Sequence, residues 1–253
     1  MNAILIGFLS TIIVFAGTLL GMAMQRVLPS DHLNEKTQDI VKLSAGTIAT
    51  LTALVLGLLV SSAKSSFDSM NNGVVQGSAN FILLDRQLAR YGPEAKPARD
   101  QLKRSLAAAI EAVWPKERTG LPALTAFEQL NGMELVEDKL RDLKPENEIQ
   151  RQMLSRAFQL TGELGQTHWL LLEQAQNQLP LPLLVILVFW LALLFLSFGL
   201  FAPRNLTVVT VLFVGACAIS AAIFLVLELN RPLEGVFKIS NAPLKSALRH
   251  LGE

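Results

Sequence analysis

The chain has 253 residues, of which 51% are hydrophobic and 17% charged, and its formal net charge is +1. The sequence has no basic patch with interleaved aromatic residues, which excludes a nucleic-acid-binding protein. Its single cysteine, Cys217, excludes an intramolecular disulfide.

Four apolar runs are long enough to cross about 30 Å of hydrocarbon at about 1.5 Å per residue. They cover residues 3–25, 44–63, 181–200 and 206–227. The first run lacks the basic segment that opens a signal peptide, so we interpret it as an uncleaved span. A core helix of a soluble protein would carry a polar face, and residues 183–200, LLVILVFWLALLFLSFGL, have none. The runs therefore predict an all-α, polytopic membrane protein with four transmembrane helices.

The second run carries small and hydroxyl residues at helical spacing. These residues form the candidate pore stripe, namely Gly46, Thr47, Thr50, Ala53, Gly57 and Ser61. Small residues allow two helices to approach closely, so helix packing is the first interpretation. The second interpretation is a pore wall, in which hydroxyl groups bond ions or water and an apolar ring at Leu54 and Leu58 forms the gate. The two interpretations combine if several copies of the chain gather around an axis.

A heptad pattern follows the second run. Its apolar or small positions are Phe67, Met70, Val74, Gly77, Phe81, Leu84, Leu88 and Tyr91. Steps of three and four are typical of a helix-packing seam, and they continue the register of the span. One helix is therefore predicted from about residue 44 to 91. Further helices are predicted at 97–114, from Pro122 with an interruption at Gly132, and at 146–178.

The third and fourth runs are joined by FAPRN, residues 201–205, and so form an antiparallel hairpin. The first span contains Gly17 and Gly21, the fourth is rich in Gly, Ala and Ser, and the third has no small face. Close packing needs small residues, so we expect spans one, two and four to pack inward and span three to face lipid.

Glu228 and Arg231 lie three residues apart at the end of the fourth span. Charged side chains at a helix end commonly extend toward the membrane surface, which is one interpretation. The other is a Glu–Arg clasp at a pore mouth, or a joint that docks the C-terminal residues onto the middle domain.

These patterns divide the chain into four segments. They are a transmembrane pair at 1–63, a helical domain at 64–180, a transmembrane hairpin at 181–228 and a C-terminal segment at 229–253. Lysines and arginines number four in the two loops on one side and five on the other. This small excess favours cytoplasmic N- and C-termini and a cytoplasmic helical domain.

Enzyme signatures are absent from the sequence. It has no phosphate-binding or nucleophile-elbow motif, and its three histidines are not spaced as metal ligands. We therefore predict no enzyme, no cofactor and no metal site. No span carries an ionisable residue near its middle, which argues against a proton-coupled transporter and permits a channel.

Three stretches resemble the bestrophin-like domain family of bacterial membrane proteins. They are DHLNEKTQDIVKLSAGTIATLTALVLGLLVSSAKSSFD, NFILLDRQLARYGPEAKPARDQL and LELNRPLEGVFKISNAPLKSALRHL. The family label implies similarity to bestrophins, which are pentameric anion channels with four spans, cytosolic helices and a pore lined by the second span. It also favours a location in the bacterial inner membrane with both termini inside.

Two departures limit what the resemblance implies. The second span has no aromatic residue between Leu43 and Lys64, whereas bestrophins narrow their neck with bulky apolar and aromatic side chains. No acidic cluster matches a calcium clasp, so calcium gating is not carried over.

Two functions follow from these observations. The first is a homo-oligomeric ion channel lined by the second span, with the bilayer, copies of itself and inorganic ions, chloride among them, as partners. The alternative is a non-conducting membrane scaffold or regulatory protein whose heptad seam binds a cytosolic partner. A seam that is free in the assembled protein favours a cytosolic partner, and a seam that is buried against neighbouring subunits serves assembly instead.

Overall fold

The computed structural model describes residues 3–29, 34–115, 125, 131–176, 181–233 and 235–252. Its long elements within these ranges are eight α-helices, with one 3₁₀ turn at Pro93–Ala95 and no strand. The helices are α1 (Ala3–Val27), α2 (Glu35–Tyr91), α3 (Lys96–Val113), α4 (Gly132–Arg141), α5 (Glu148–Gln176), α6 (Leu181–Phe201), α7 (Leu206–Leu229) and α8 (Ala242–His250). The predicted all-α class is confirmed.

The chain forms two compact units. The membrane unit comprises Met1–Ser65 and Gln178–Asn230, and the helical unit comprises Ser66–Asn177 and Arg231–Glu253. Four helices, namely α1, α2, α6 and α7, contain segments that are long and apolar enough to cross a membrane. They contain the four predicted spans.

Helix α2 is continuous over 57 residues, which corresponds to about 85 Å at about 1.5 Å per residue. It starts nine residues before the predicted position, because Asn34 caps it. The Asn34 side-chain oxygen accepts a hydrogen bond from the Thr37 amide at 2.9 Å, and this satisfies one of the free amides of the first turn.

Helices α1 and α6 pack together in the membrane unit through small residues. A Cβ atom added at Gly17 would lie 2.6 Å from the Ala192 carbonyl oxygen. A Cβ atom added at Gly199 would collide with the carbonyl of Thr18. These backbones therefore approach too closely for a side chain at either glycine.

This contact corrects the expected arrangement of the spans. Span three, α6, packs directly against span one and does not simply face lipid. Its small residues, Ala192 and Gly199, lie seven residues apart and so share one face of the helix. Two positions are enough for close contact, even where the rest of the helix is leucine and phenylalanine.

The helical unit buries the heptad seam of α2 in its own core. Leu84 and Leu88 are buried there with Leu102 of α3 and Leu160 of α5. Val136 and Leu140 of α4 and Ala247 and Leu251, in and just after α8, join the same cluster. The seam is thus occupied by helices of the same chain.

The local predictions around α4 and α8 have different outcomes. The helix interruption predicted at Gly132 stays a prediction, because α4 begins at Gly132 and the residues before Asn131 lie largely outside the described ranges. The helix predicted from Pro122 lies largely outside the described residues. Helix α8 was not predicted, although Pro243 in its first turn suits a helix start and its apolar residues follow helical spacing.

Polar bonds hold the residues after α8 against the helical unit. The Asp85 carboxylate accepts two 2.8 Å hydrogen bonds from the Arg99 guanidinium and a 3.2 Å bond from the Gly252 amide. The Lys103 ammonium donates to the Leu251 carbonyl at 2.9 Å. The C-terminal residues are therefore fixed by a buried ion pair as well as by apolar packing.

Candidate functional site

The six residues of the candidate pore stripe are exposed on the surface of the chain. A Cβ atom added at Gly46 or Gly57 would meet no atom within 4 Å. This contrasts with Gly17 and Gly199, whose missing side chains leave room for a packed backbone. Among the described residues of its own chain, the stripe is therefore not used for helix packing.

The opposite side of the same span packs into the membrane unit. Ala45, Leu59 and Ala63 belong to its apolar core, and Thr52 is buried beside them with 4% of its surface exposed. At about 100° per residue, the centre of the stripe lies roughly 150° around the helix from this packed face. One span therefore has a face that its own chain covers and a face that it leaves open.

Threonine hydroxyls on both faces donate to the helix itself. Thr47 donates to the Leu43 carbonyl at 3.2 Å and Thr50 to the Gly46 carbonyl at 2.9 Å. Thr52 makes the same type of bond to Ile48 at 2.7 Å. Because the hydroxyl protons are used in this way, the outer surface of Thr47 and Thr50 presents oxygen lone pairs, which accept hydrogen bonds or coordinate cations.

The gate candidates are also exposed. Leu54 is 66% and Leu58 71% exposed, and they lie one helical turn apart. In a helix facing water, two large aliphatic side chains of this exposure would be unfavourable. They are suited to a lipid contact, a contact with another copy, or an apolar constriction.

The clasp candidates belong to different units. Glu228 is buried in the last turn of α7, in the membrane unit. Arg231 is half-buried and begins the second segment of the helical unit. The Glu–Arg clasp stays a prediction.

The helical unit contains a cavity of about 170 Å³. Its walls are mainly apolar and include Met70 and Val74 of α2, with Trp114, His168 and Trp169. Burial lowers the pKa of His168 below its usual value, because the charged imidazolium loses hydration there. No cluster of three or more His, Cys, Asp or Glu residues within the described ranges could hold a metal ion.

These features define the class of protein. It is an all-α integral membrane protein with four apolar helices able to span a bilayer and a separate unit of amphipathic helices. Neither unit presents a described cluster typical of a metal-dependent enzyme.

The chain belongs to the bestrophin-like domain family, whose sequence profile matches residues 12–244. The resemblance seen in the sequence is thereby confirmed. No curated protein matches the chain at a significant level.

The fold is similar to that of solved bacterial bestrophin homologues. One variant of the Klebsiella pneumoniae homologue has a TM-score of 0.67 at 16% identity, over 94% of this chain and 97% of that one. Another variant has a TM-score of 0.68 at 15% identity, over 96% and 97%. A crystal structure of a membrane protein gives 0.68 at 15% identity, over 96% of each chain. At these identities the likeness concerns the fold, and together with the family it supports a place among ion-channel proteins.

Proposed function

We propose that the protein is a homo-oligomeric ion channel whose pore is lined by the membrane part of α2. The observation that carries this proposal is the open stripe on that segment. Gly46 and Gly57 face empty space on the chain, while Ala45, Leu59 and Ala63 on the other side are packed. If several copies gather around an axis, the stripe of each copy would face the other copies and the space that they enclose.

The exposed arc of α2 is wide enough for two roles. From Ala53 to Leu58 it covers roughly 140° of the helix at about 100° per residue. A helix in a ring of subunits turns one part of its surface to the axis and another to its neighbour. Gly46, Ala53 and Gly57, at one edge of this arc, then suit the contact with the neighbouring copy. The rest of the arc, with Thr47, Thr50, Leu54 and Leu58, suits the lumen.

The proposed gate is an apolar constriction formed by Leu54 and Leu58. A narrow ring of such side chains excludes water, and ions cannot pass without their hydration. Replacing Leu58 by Ser should wet the constriction and raise ion flux. An unchanged flux in a correctly assembled Leu58→Ser variant would place the gate elsewhere.

Selectivity is a separate part of the proposal. Family resemblance favours chloride, and chloride binds to hydrogen-bond donors. The protons of Thr47 and Thr50 are bonded to their own helix, so an anion would require these hydroxyls to turn outward. A cation would meet their lone pairs directly. The reversal potential in a KCl gradient distinguishes anion from cation passage by its sign.

The remaining parts of the proposal concern placement. We propose that the chain lies in a bacterial inner membrane with N- and C-termini in the cytoplasm. Residues 1–63 and 181–228 would form the spanning part, and 64–180 and 229–253 the cytoplasmic part. Its partners would be the bilayer, further copies of itself and inorganic ions, and its activity would be transport instead of catalysis.

The test uses purified full-length protein in liposomes. Ion flux is measured for wild type and for two variants of equal shape, Thr50→Val and Thr52→Val. Thr50 lies on the open stripe and Thr52 on the packed face, and each hydroxyl bonds the carbonyl four residues earlier. Thr50→Val should change flux or selectivity, and Thr52→Val should leave both unchanged.

A bulkier change separates the pore wall from subunit packing. Thr50→Leu with lost flux and an intact oligomer supports a pore wall, and a dissociated oligomer supports packing. A folded wild-type oligomer that passes no ion under any gradient contradicts the channel and leaves the scaffold. A wild-type protein that stays monomeric contradicts both the homo-oligomer and the pore that it would form.

A further inference from the structure

A pocket of about 450 Å³ lies in the membrane unit between the end of α1 and the start of α7. Its lining residues are Leu19, Met22, Ala23, Arg26, Arg204, Asn205, Leu206 and Val209. Two of them are arginines and none is acidic. The described residues that line the pocket therefore give it a net positive charge.

Along both helices, the pocket lining changes from apolar within the span to polar or charged at the end of the span. On α1 it runs from Leu19 through Met22 to Arg26, over seven residues or about 10 Å. Beyond α6, Arg204 and Asn205 precede α7, whose first turns supply Leu206 and Val209. The charged groups thus lie where the apolar segments end, and the apolar walls extend from there into the spans.

The two arginines of the pocket differ in their hydrogen bonding. The Arg204 guanidinium donates to the Gln25 side-chain oxygen at 3.0 Å and to the Met22 carbonyl at 3.0 Å. These bonds use only part of its five N–H groups, and they fix the plane of the guanidinium group. Arg26 is exposed and has no hydrogen-bond or ion-pair partner among the described residues.

We propose that this pocket binds an anionic phospholipid. The phosphate would lie between Arg26 and the free N–H groups of Arg204, since guanidinium groups match phosphate oxygens in geometry and charge. An acyl chain would lie along Leu19, Met22, Leu206 and Val209. Charge favours an anionic headgroup, because a zwitterionic lipid adds a cation beside two arginines, and no carboxylate among the described lining residues offsets their charge.

The experiment titrates full-length protein in neutral detergent with phosphatidylglycerol and follows the melting temperature. Phosphatidylcholine with the same acyl chains is the comparison lipid, and inorganic phosphate is the comparison anion. We expect phosphatidylglycerol to raise the melting temperature more than either. Loss of one cation near an anionic headgroup corresponds to about fivefold weaker binding. The midpoint of the titration, which is the phosphatidylglycerol concentration that gives half of the full shift, should therefore rise about fivefold in Arg26→Gln.

Two variants serve as controls. Arg26→Lys keeps the charge and should retain most of the affinity. Lys42→Gln removes an exposed cation outside the pocket, near the start of the second span, and should keep the wild-type midpoint. Arg26 bonds no described residue, so its replacement should leave the fold intact.

Four outcomes would overturn the proposal. They are equal shifts with phosphatidylcholine and phosphatidylglycerol, a full shift with inorganic phosphate alone, an unchanged midpoint in Arg26→Gln, and equal weakening in Lys42→Gln. The second outcome indicates a free-anion site, and the last indicates attraction to any cation at the membrane surface. None of these measurements depends on ion flux, so the lipid site and the channel stand or fall separately.

Discussion

Replacing Asp85 by Asn should destabilise the helical unit, because it breaks a buried ion pair and keeps the shape of the side chain. The Asp85 side chain is 4% exposed, and it accepts bonds from Arg99 and from the Gly252 amide. Its carboxylate raises the pKa of Arg99 through the hydrogen bond between them. An asparagine would offer one acceptor oxygen and would direct an N–H₂ group toward a cation.

The size of the effect follows from burial. Removing one partner of a fully buried ion pair costs about 3–5 kcal/mol. The Arg99 side chain is 21% exposed and would regain part of its hydration, so the lower end of that range applies. A loss of about 3 kcal/mol corresponds to a fall in melting temperature on the order of 10 °C for a chain of this size.

Tryptophan fluorescence of the detergent-purified protein measures this change. The Trp114 indole N–H donates to the Ile239 carbonyl at 3.0 Å, so its emission reports on the C-terminal segment. The matched control is Asp142→Asn. Asp142 is 72% exposed and pairs with Lys139 at 3.5 Å, an interaction that contributes less than about 1 kcal/mol. Equal melting temperatures for the two variants would refute the argument.

Four further predictions concern other positions. Gly92 has φ 137°, and an added Cβ would lie 2.5 Å from a carboxylate oxygen two residues on; Gly92→Ala should therefore lower stability by about 1–2 kcal/mol. Gly162→Ala, in an open part of α5, should raise it by up to about 1 kcal/mol, and chemical or thermal unfolding compares the two. Gly17→Val should separate α1 from α6 and reduce the monodisperse fraction in size-exclusion chromatography, and a wild-type profile would contradict that packing. Burial lowers the pKa of His168, so the unfolded chain binds the proton more readily and stability should fall as pH drops through about 6.5. The melting temperature of His168→Gln should lose that pH dependence, and an unchanged slope would show that another group causes it.

The elements that the sequence predicted well are those with long periodic patterns. The four spans follow from apolar length, and α2 follows from a heptad pattern that continues without a proline from the span to Tyr91. The same pattern predicted the buried face, since Leu84 and Leu88 are both in the core. Periodicity does not identify the partner that covers a helix face. In this protein, the helices that cover the heptad seam of α2 belong to the same chain.

The features that the sequence did not predict depend on few residues or on distant ones. The α1–α6 contact depends on Ala192 and Gly199 within an otherwise bulky helix. The Asp85–Arg99 pair joins positions on two helices separated by a turn, and nothing in the local pattern marks it. Helix α8 has nine residues, too few for a strong periodic signal. The stripe on α2 could be identified from spacing, whereas its role depends on neighbouring copies that a single sequence does not describe.

The order in which the helical unit is synthesised follows from the place of α8 in the chain. Leu251, just after α8, lies in the same core as Leu84 and Leu102, yet the hairpin of α6 and α7 is made between them. At about 5–20 residues per second, the ribosome needs roughly 3 to 13 s to pass from the end of α5 to the start of α8. During that interval the earlier helices lack their last apolar partner, and a chaperone or the translocon would have to shield them. Ribosome-bound chains that stop before α8 should therefore be cut by protease within α2–α5, and chains that include it should resist.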